Sequence, residues 1–524
     1  MIGGPNDHFG SNPHILLIMT DPHQSPDVLV VGAGPTGLTA ALAARQAGLT
    51  VRIIDQRLER AAYSKALVTH ARTMEVFNTL GIAHDVAAVG GELEAVNLRG
   101  SFGVRGRIAL DELNWGDTAY PHWLIIPQYE VENLLEQALT RQQVAVEWGT
   151  QLIELQQSAT SVTAQVSTQG QPQTITASWV VGADGSHSTV RDNIRSQFKR
   201  AESEAPFILA DAYTTAYLPD REAQISLAPE GFLLLIPLPT HGLWRIVAHL
   251  PYQSEAWAEP ITPELLDGLI ASRARIHFGA HDIAWTSRFS PSYGIAAPLH
   301  SGRAFLAGDA AHVHSPVGGQ GMNFGVHDAH NLIWKLALAD TLQPKEAAKL
   351  LDSYEAERRP VIERMVARVQ RITALVTDSR RAGRRVLGTV APTLLPHTGA
   401  RQLLGQTMAG LNIAYQHGPL VLGRDKLSGK RAASTITEYQ PPGTWYWHTD
   451  DDGVQLIRPD GVVAVSGATR REVDTRIRRN RLLKAIVDVV EPSRLALRQS
   501  LTCPTCARRI VPWFLSDLAS QPSG

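Results

Sequence analysis

The chain has 524 residues, of which 44% are hydrophobic and 19% charged, with a formal net charge of −1 and two cysteines. Its length predicts two or three globular domains, its near-zero charge excludes a global field that recruits nucleic acid or an anionic membrane, and two cysteines argue against a disulfide framework. No apolar run approaches the roughly 18 to 20 residues of a membrane span, so we predict a cytoplasmic protein with no membrane or nucleic-acid partner.

Residues 1–26 show no clear hydrophobic period and are predicted to be an N-terminal extension that is not native in full. Met19 lies eight residues before Asp27, a typical distance between a start and a first strand. We therefore expect the functional start at Met19 rather than at Met1.

The first predicted elements are a strand, a glycine-rich turn, a helix and a second strand. An apolar run, Val28 to Val31, precedes three glycines at the G-x-G-x-x-G spacing, Gly32, Gly34 and Gly37. An Ala/Leu-rich helix follows, and a second strand ends on Asp55, 23 positions after Gly32. This arrangement binds a dinucleotide pyrophosphate at the helix N-terminus and a ribose at the acid, so the segment predicts a site for NAD or FAD.

Helices and strands then alternate up to a second glycine turn. Helices are predicted over Ala71 to Leu80 and, after Pro127-Gln128, over Tyr129 to Arg141. Alternating or apolar runs predict three strands, Val144 to Glu147, Ser161 to Val166 and Thr174 to Val181. The turn Gly182-Ala183-Asp184-Gly185 follows the last of them.

Residues 206–289 are predicted to form an inserted, largely antiparallel sheet that walls a substrate pocket. Gly231 to Leu238 and Leu243 to Leu250 form a predicted hairpin, and Thr262 begins a helix that runs to about Ala274. The apolar candidates for the pocket are Phe207, Tyr213, Tyr217, Phe232 and Trp244. From these, Phe232 and Trp244 are predicted as substrate contacts, together with Pro316 from a later loop.

The chain then returns to its first domain. A strand, Ala304 to Ala307, ends in Gly308-Asp309, and the loop Ser315 to Asn323 opens a helix to about Leu338. The next helix, Pro344 to Thr377, is predicted to expose Glu355, Glu357, Arg358 and Arg359 to solvent. Val454 to Val465 predicts a hairpin, and 471–524 a basic helical tail.

Three motifs together carry a resemblance: the glycines at Gly32 to Gly37, the Asp184-Gly185 turn and the Gly308-Asp309 turn with its loop. Over about Asp27 to Thr377 the chain resembles the FAD-dependent aromatic hydroxylases, the para-hydroxybenzoate hydroxylase-like class A flavoprotein monooxygenases. The implied α/β architecture is a Rossmann-type FAD-binding domain, 27–205 and 290–380, with the β-sheet substrate domain 206–289 inserted. Residues 381–470 are expected to be a reduced thioredoxin-like C-terminal region.

The resemblance implies cofactor-binding roles for particular residues. The FAD pyrophosphate and adenosine ribose would be held by Gly32, Gly34, Pro35, Thr36, Gly37, Asp55 and Gln56, with a further contact from Gln128. Asp184 and Gly185, supported by Arg191, would lie near the pyrophosphate and the pyridine nucleotide, and Asp309 would bind the ribityl chain. The flavin ring would meet Gly318, Gly319, Gln320, Gly321, Met322 and Asn323. Lys65 and Arg72 remain alternatives for a flavin or NAD(P)H contact where many relatives have an arginine.

The implied reaction uses NADPH or NADH to reduce FAD, and then O₂ to form a C4a-hydroperoxyflavin that hydroxylates a phenol or a polycyclic aromatic polyketide. No catalytic side chain is assigned, because the flavin carries the chemistry and no G-x-S-x-G elbow supports a hydrolytic use of Ser64, His70 or Ser315. His312 and His314 are expected to satisfy local backbone groups rather than to line the pocket.

No metal site is predicted, because Cys503 and Cys506 form the chain's single C-x-x-C and lack a second pair. The alternatives are a flavin-dependent halogenase or reductase of the same fold, or a non-catalytic protein that binds flavin or an aromatic ligand. Trp445-Tyr446-Trp447-His448 lacks the W-x-W-x-I-P spacing of halogenases, which disfavours that alternative. A homodimer is a further expectation.

Overall fold

The structure is a computed structural model that describes residues 25–490, except 101–102, 203–205, 229, 251–253, 255–256, 317, 378–404, 416–417, 424–426, 433–443 and 451–452. The predictions on Met1, Met19, Cys503 and Cys506 lie outside the described residues. The α-helices are α1 Pro35–Gln46, α2 Ala71–Thr79, α3 Ala83–Val89, α4 Gln128–Arg141, α5 Thr189–Asn193, α6 Pro263–Ala274, α7 Gly321–Ala339, α8 Pro344–Thr377 and α9 Arg470–Arg479. A further helical segment spans 481–490.

A six-stranded sheet forms the centre of the first domain. In spatial order its strands are His300–Ser301 (β21), Ala304–Leu306 (β22), Trp179–Gly182 (β12), Val28–Val31 (β1), Val51–Asp55 (β2) and Val146–Trp148 (β8). All neighbours are parallel except β21 and β22. Strand β1 is buried throughout, as expected for a continuous apolar run in a parallel sheet.

The parallel direction explains why the three motifs meet. The glycine-rich turn follows β1, Asp55 ends β2, the Asp184 turn follows β12 and Asp309 follows β22. Because the carboxyl ends of parallel strands lie at one edge of a sheet, all four features converge there, where α/β proteins bind ligands. Because the predicted strands are confirmed, the motifs that follow them lie together at this edge of the sheet.

Three smaller sheets flank this centre, and one corrects a prediction. The predicted strand Thr174 to Val181 is two strands in different sheets, which separate at Ser178. The first sheet has β9 Thr150–Gln157, β10 Val162–Thr168 and β11 Gln171–Ala177. The second has β3 Val68–Thr69, β4 Gly91–Leu93 and β7 Trp123–Ile125. The third has β13 Gln197–Phe198, β14 Ala201–Glu202, β20 Ser292–Ala297 and β23 His312–Val313.

A seven-stranded sheet contains the strands of the predicted segment 206–289, and β5 and β6 join it from earlier in the chain. The domain bounds themselves stay a prediction. Its strands in spatial order are β19 Ala280–Phe289, β15 Phe207–Thr214, β18 Leu243–His249, β17 Gly231–Pro237, β16 Glu222–Ala228, β5 Ala95–Gly100 and β6 Gly103–Ala109. Only β16 and β5 pair in parallel, so the sheet is largely antiparallel, as predicted.

Helix α6 covers one face of the seven-stranded sheet. It begins where Thr262 Oγ1 accepts a hydrogen bond from the Leu265 N–H at 3.3 Å, which confirms the predicted cap. Its buried side chains pack on alternate residues of β15, such as Ile208 and Ala210. The intervening residues, among them Phe207 and Asp211, therefore lie on the opposite face of the sheet, which we call the inner face.

Helices α7 and α8 have the predicted extents, but the predicted solvent-facing surface of α8 is wrong in part. Glu357 and Arg358 are fully buried, because each finds an ionic partner from a distant part of the chain. Glu355 and Arg359 pair with each other and are partly buried.

The C-terminal region contains a three-stranded antiparallel sheet, β24 Tyr446–Asp450, β25 Gly453–Ile457 and β26 Val463–Gly467, followed by α9. This confirms the hairpin about Asp460. Residues of β25, β26 and α9 pack with Trp334 of α7, so the start of the basic tail is part of a core. The thioredoxin-like relationship stays a prediction.

The described residues contain no helix that combines the length and apolar character needed to cross a bilayer. They also contain no cluster of three or more His, Cys, Asp or Glu side chains suited to a metal ion.

Candidate active site

In the glycine-rich turn after β1, the fold has no room for a side chain at two of the glycines, but it leaves free space beside the third. A Cβ atom at Gly37 would lie 1.8 Å from the Gly32 carbonyl oxygen, and a Cβ at Gly32 would lie 2.3 Å from that of Ala183. Gly32 also has φ +103°, which L side chains rarely adopt. A Cβ at Gly34 would meet nothing within 4 Å. Gly34 therefore faces space that a ligand can occupy.

The N-terminus of α1 is open to an anion. Pro35 is its first residue, Gly34 provides no side-chain cap and the first turn contains no acidic residue. The free N–H groups and the helix dipole favour a phosphate there. Thr36 instead faces inward, since a Cβ at Gly308 or Gly325 would lie within 2.5 Å of its Oγ1.

Asp55 lies beside this turn, but its carboxylate already has several partners. Its oxygens accept hydrogen bonds from the N–H groups of Ala33 and Arg57, both at 2.8 Å, and from the Arg57 guanidinium. Burial alone would raise the pKa of Asp55, but these bonds outweigh it and lower the pKa. Arg57, which stacks on Trp148 and is 37% exposed, was not identified from the sequence. Gln56 points to solvent.

Asp309 has an accessible carboxylate deep inside the protein. The side chain is exposed to a cleft, yet the surrounding protein raises its pKa, and no residue in the described part of the chain donates a hydrogen bond to it. Asp328 holds both ends of the turn, since it accepts from the Gly308 N–H at 3.1 Å and from His312 Nε2 at 2.7 Å. The turn therefore presents a fixed acceptor toward the cleft.

The structure separates the two alternatives Lys65 and Arg72. Burial raises the pKa of Asp309, and the charge of nearby Lys65 partly opposes that rise. The Lys65 ammonium lies 4.9 Å from the Phe289 ring centre. Arg72 instead bonds to Glu75 and, at 2.6 Å, to the carbonyl oxygen of Asp460 in the C-terminal sheet. These bonds hold the Arg72 guanidinium between α2 and the C-terminal sheet, and its cofactor contact stays a prediction.

The loop before α7 is held by its own side chains. Gly318 and Gly319 have φ values of +84° and +63°. Asn323 donates from Nδ2 to the carbonyls of Val68 and Gly319, and its Oδ1 accepts from the His70 N–H at 2.9 Å. Gln320 donates to the carbonyls of Gly318 and Met408. These bonds fix the loop in the apo chain.

Helix α7 begins at Gly321 with an open N-terminus like that of α1. Gln320 gives it no side-chain cap, and its first turn, which includes the buried Met322, contains no acid. Pro316 lies at the start of the loop and accepts from the Gly319 N–H at 2.9 Å. The arrangement suits a negatively charged ring edge.

The histidines around the loop have structural partners. His70 contacts the Gly318 carbonyl through Nε2 at 3.1 Å, and burial lowers its pKa to about 4. His314 Nδ1 donates to the Ser315 carbonyl at 2.7 Å, which confirms the predicted local role. His312 binds Asp328 instead of a backbone group.

The second glycine turn and the Pro127-Gln128 turn are also bonded internally. Asp184 accepts from Ser188 Oγ at 2.5 Å and from the Val190 N–H, so it fixes the start of α5, and Gly185 has φ +80°. Arg191 bridges to the Ala310 carbonyl beside Asp309. Gln128 donates to Glu132 at 2.7 Å. None of these contacts closes the cleft.

The predicted substrate contacts lie on opposite faces of the seven-stranded sheet. Phe232 is on the inner face, in a cluster with Phe207 and Val376 of α8. Trp244 is 1% exposed and packs against α6 on the other face, so its assignment as a pocket residue is wrong. Tyr217 is fully exposed in a loop. Tyr213 is half-buried beside His281.

The inner face carries a polar group that the sequence did not reveal. Arg245 forms two bonds of 2.7 Å to Asp211, both side chains are buried, and Arg245 Nη1 donates to the Lys65 carbonyl at 3.1 Å. Trp285 lies beneath Arg245 and stacks on Tyr63 at 5.9 Å. The pair therefore joins the sheet to the segment that carries Lys65.

Comparisons with known proteins agree with this geometry. The family model described as FAD binding domain matches residues 25–369. The 6-methylpretetramide 4-monooxygenase of Streptomyces rimosus is 35% identical over 416 residues, which cover 76% of this chain and 71% of the relative. The anhydrotetracycline monooxygenase of the same organism is 32% identical over 485 residues, covering 84% and 92%.

Among solved structures, the anhydrotetracycline hydroxylase OxyS from Streptomyces rimosus matches with a TM-score of 0.68 and 27% identity, and the match covers 86% of this chain and 96% of that one. The matched family model spans well over half of the chain and includes all three motifs that carry the resemblance. The chain therefore belongs to the family of FAD-dependent aromatic monooxygenases.

Proposed function

We propose that the chain binds FAD across the cleft and uses O₂ and NADPH or NADH to hydroxylate a phenolic or polycyclic aromatic compound. The observation that carries this proposal is the convergence of two open helix N-termini, those of α1 and α7, with the carboxylate of Asp309, to which no described residue donates a hydrogen bond. The names of relatives that act on tetracycline intermediates support a polyketide substrate.

The residues present fit FAD. The open space at Gly34 and the α1 N-terminus would take the pyrophosphate, and Asp55 with Arg57 would take the adenosine ribose. Asp309 would accept a hydrogen bond from a ribityl hydroxyl, which is favoured because none of the described residues donates one to its carboxylate. The α7 N-terminus, with the N–H groups of Gly321 to Asn323, would meet the flavin ring edge.

When bound, FAD supplies the hydride acceptance and the oxygen activation. The chain's own residues orient and enclose the reactants. The α7 dipole stabilises negative charge at the ring edge, and Lys65 places a cation beside Asp309. The apolar side chains around Phe232 on the inner face exclude water from the aromatic substrate. A homodimer remains a prediction.

The function is tested with purified holoenzyme and a panel of phenols and aromatic polyketides. NADPH and NADH oxidation and H₂O₂ release are followed, and products are analysed by mass. We expect one compound to accelerate oxidation and to gain one oxygen atom. A product that gains halogen when chloride or bromide and a partner reductase are present would point to the halogenase, and binding without any turnover to a ligand-binding protein.

The FAD cradle is tested with two glycine variants. Gly34→Ala meets no atom in the apo protein, so it should keep the apo melting temperature but lower FAD affinity by tenfold or more. Gly37→Ala should lower both, because its Cβ collides with the Gly32 backbone. FAD fluorescence titration and thermal unfolding separate the two effects. Full FAD affinity in Gly34→Ala would contradict this pyrophosphate site.

A further inference from the structure

A cavity of about 140 Å³ lies between the loop before α7, helix α8 and residues 407–413. Its walls are largely apolar, and they include Phe324, Val361, Met365, Val369, Ile372 and Met408. Gly318 and Gln320 of the loop also border it, so the cavity touches the segment that would hold the flavin ring. Its volume is near that of engineered cavities that bind one benzene ring.

The cavity also adjoins the inner face of the seven-stranded sheet. Ile372, which lines it, packs against the cluster that contains Phe232 and Phe207. The predicted substrate wall and the loop before α7 therefore meet at this cavity. An aromatic ring placed in it would lie between the two surfaces that the proposed function requires.

Two arginines give the cavity a charge. Arg364 and Arg368 of α8 line it, and they are the only titratable side chains in its described lining. Being four residues apart, they lie on one face of the helix, and Arg371 follows about one turn later. Within the described residues, no acidic side chain pairs with any of the three, and Arg364 and Arg371 donate to the helix carbonyls of Pro360 and Ala367.

The three cations repel one another. Burial lowers the pKa of Arg368, and the charges of Arg371 and Arg364 lower it further. A groove of about 730 Å³ along α8 shares Arg364 and Arg368 with the cavity. Arg371 also lines this groove, and so do the acids Glu357 and Glu363. An anion at the cavity rim would relieve the repulsion, and the groove leaves room for the rest of a large ring system.

We propose that the cavity receives a hydroxylated ring of the substrate and that Arg364 and Arg368 bind its ionised oxygen, so that the site selects phenolate or enolate forms. This inference rests on the proposed function. The arginines favour the charged form of the ligand because a nearby opposite charge lowers the pKa of an acid. The ionised oxygen in turn donates electrons to the ring, which an electrophilic oxygen attacks more readily.

Equilibrium binding to the full-chain holoenzyme tests this without turnover. The probes are alizarin, a dihydroxyanthraquinone whose visible band moves to longer wavelength on ionisation, pentachlorophenol, and unsubstituted anthraquinone as a neutral control. The variants are Arg364→Met and Arg368→Met, with Arg371→Met as the matched control, because Arg371 lines the groove but not the cavity. FAD content and melting temperature verify that each variant is folded.

We expect bound alizarin to be ionised below its solution pKa in the wild-type protein. Its dissociation constant should rise about tenfold in Arg368→Met and in Arg364→Met, and less than twofold in Arg371→Met. Anthraquinone should bind all four proteins alike. Equal alizarin and pentachlorophenol affinity in all variants, or no binding of either to the wild-type protein, would overturn the inference.

The two proposals fail in different ways. If Arg368→Met weakens only the ionised probes but no compound in the panel gains oxygen, the anion site stands and the hydroxylase function falls. If a phenol is hydroxylated and Arg364→Met and Arg368→Met bind and ionise alizarin as the wild type does, the anion site falls and the function stands.

Discussion

The charged residues on the two sides of helix α8 differ in their burial and in their ionic partners. Toward α7 and the C-terminal sheet, Glu357 and Arg358 are fully buried and every charge has partners. Toward the cavity and groove, Arg364 and Arg368 are exposed cations that lack an acidic partner in the described residues. One helix thus carries a closed ionic network and an open cationic surface.

The closed side shows what buried charges need. Glu357 binds Arg458 at 2.6 and 2.8 Å and Lys335 at 2.8 Å. Burial alone would raise the pKa of Glu357, but Arg458 and Lys335 hold it at about 2. Such a group is stable only with its whole set of partners. Among the described residues the open side has no such set of partners, which supports a structural role for the first side and the proposed ligand-binding role for the second.

The largest effect is expected from breaking the closed side at Asp328. Asp328→Ala removes the partner of Arg358 Nε, at 2.7 Å, and leaves that guanidinium buried. We expect a loss of about 3 to 5 kcal/mol in the free energy of unfolding, measured in urea on the apo protein. FAD affinity should also fall, because Asp328 fixes the turn of Asp309.

The control for Asp328→Ala is Asp352→Ala, which removes an exposed acid of α8 that lies 3.5 Å from His300. It should change the free energy of unfolding by less than about 0.5 kcal/mol. Similar losses in both variants would mean that the closed network contributes no more than an exposed pair.

A double-mutant cycle on Arg245 and Asp211 extends the test to the buried pair of the sheet. Arg245→Met leaves Asp211 buried without its two 2.7 Å bonds and should cost about 3 kcal/mol. The double variant Asp211→Leu/Arg245→Met should cost less than Arg245→Met, because no charge then remains unpaired. Urea unfolding of the four proteins gives the coupling energy, and strict additivity would show that the pair does not interact.

Acid should destabilise the folded protein through its buried, neutral histidines. Burial lowers the pKa of His70, His314 and His330 to about 4, whereas histidines of an unfolded chain titrate near 6.5. Between those values the unfolded chain binds more protons, so the free energy of unfolding falls as pH is lowered from about 6.5 to 4. Each histidine contributes a slope of at most about 1.4 kcal/mol per pH unit.

Urea unfolding at several pH values measures that slope. His330→Gln should reduce it, whereas His84→Gln, which changes a side chain that is 98% exposed, should leave it unchanged. An equal slope in the wild type and in His330→Gln would show that His330 titrates normally in the folded protein.

The smallest effect is expected on the open side. Arg371→Met removes one of three mutually repelling cations, so it should leave the free energy of unfolding within about 0.5 kcal/mol of wild type or raise it slightly. Any gain should shrink at high salt, which screens the repulsion. A marked destabilisation would mean that Arg371 has a structural role like that of Arg358.

The sequence predicted elements and motifs where local chemistry is sufficient. The glycine spacing and the strand that ends on Asp55 determine the turn, and the parallel sheet brings Asp184 and Asp309 to the same edge. The sequence alone could not show that Glu357 and Arg358 are buried, because their partners Arg458 and Asp328 approach them only in the folded chain.

Similar limits apply to the substrate wall. Phe232 and Trp244 lie on adjacent strands, and only the strand register, in which Pro237 faces Trp244, settles that they point to opposite faces. Arg72 lies near Lys65 in sequence, yet α2 directs it to Asp460. In both cases the position of the side chain depends on contacts between residues far apart in the sequence, and the spacing of residues along the chain does not reveal such contacts.

The insertion of Arg458 between α7 and α8 has a consequence for cooperativity. The family match ends at residue 369, yet Glu357, inside that range, binds the Arg458 guanidinium 101 positions further along the chain. Lys335 in turn binds the same Glu357 carboxylate. Trp334 likewise packs edge-on against Trp445. We therefore expect that residues 25–369 do not fold on their own, and that the cofactor half and the C-terminal sheet melt in a single transition.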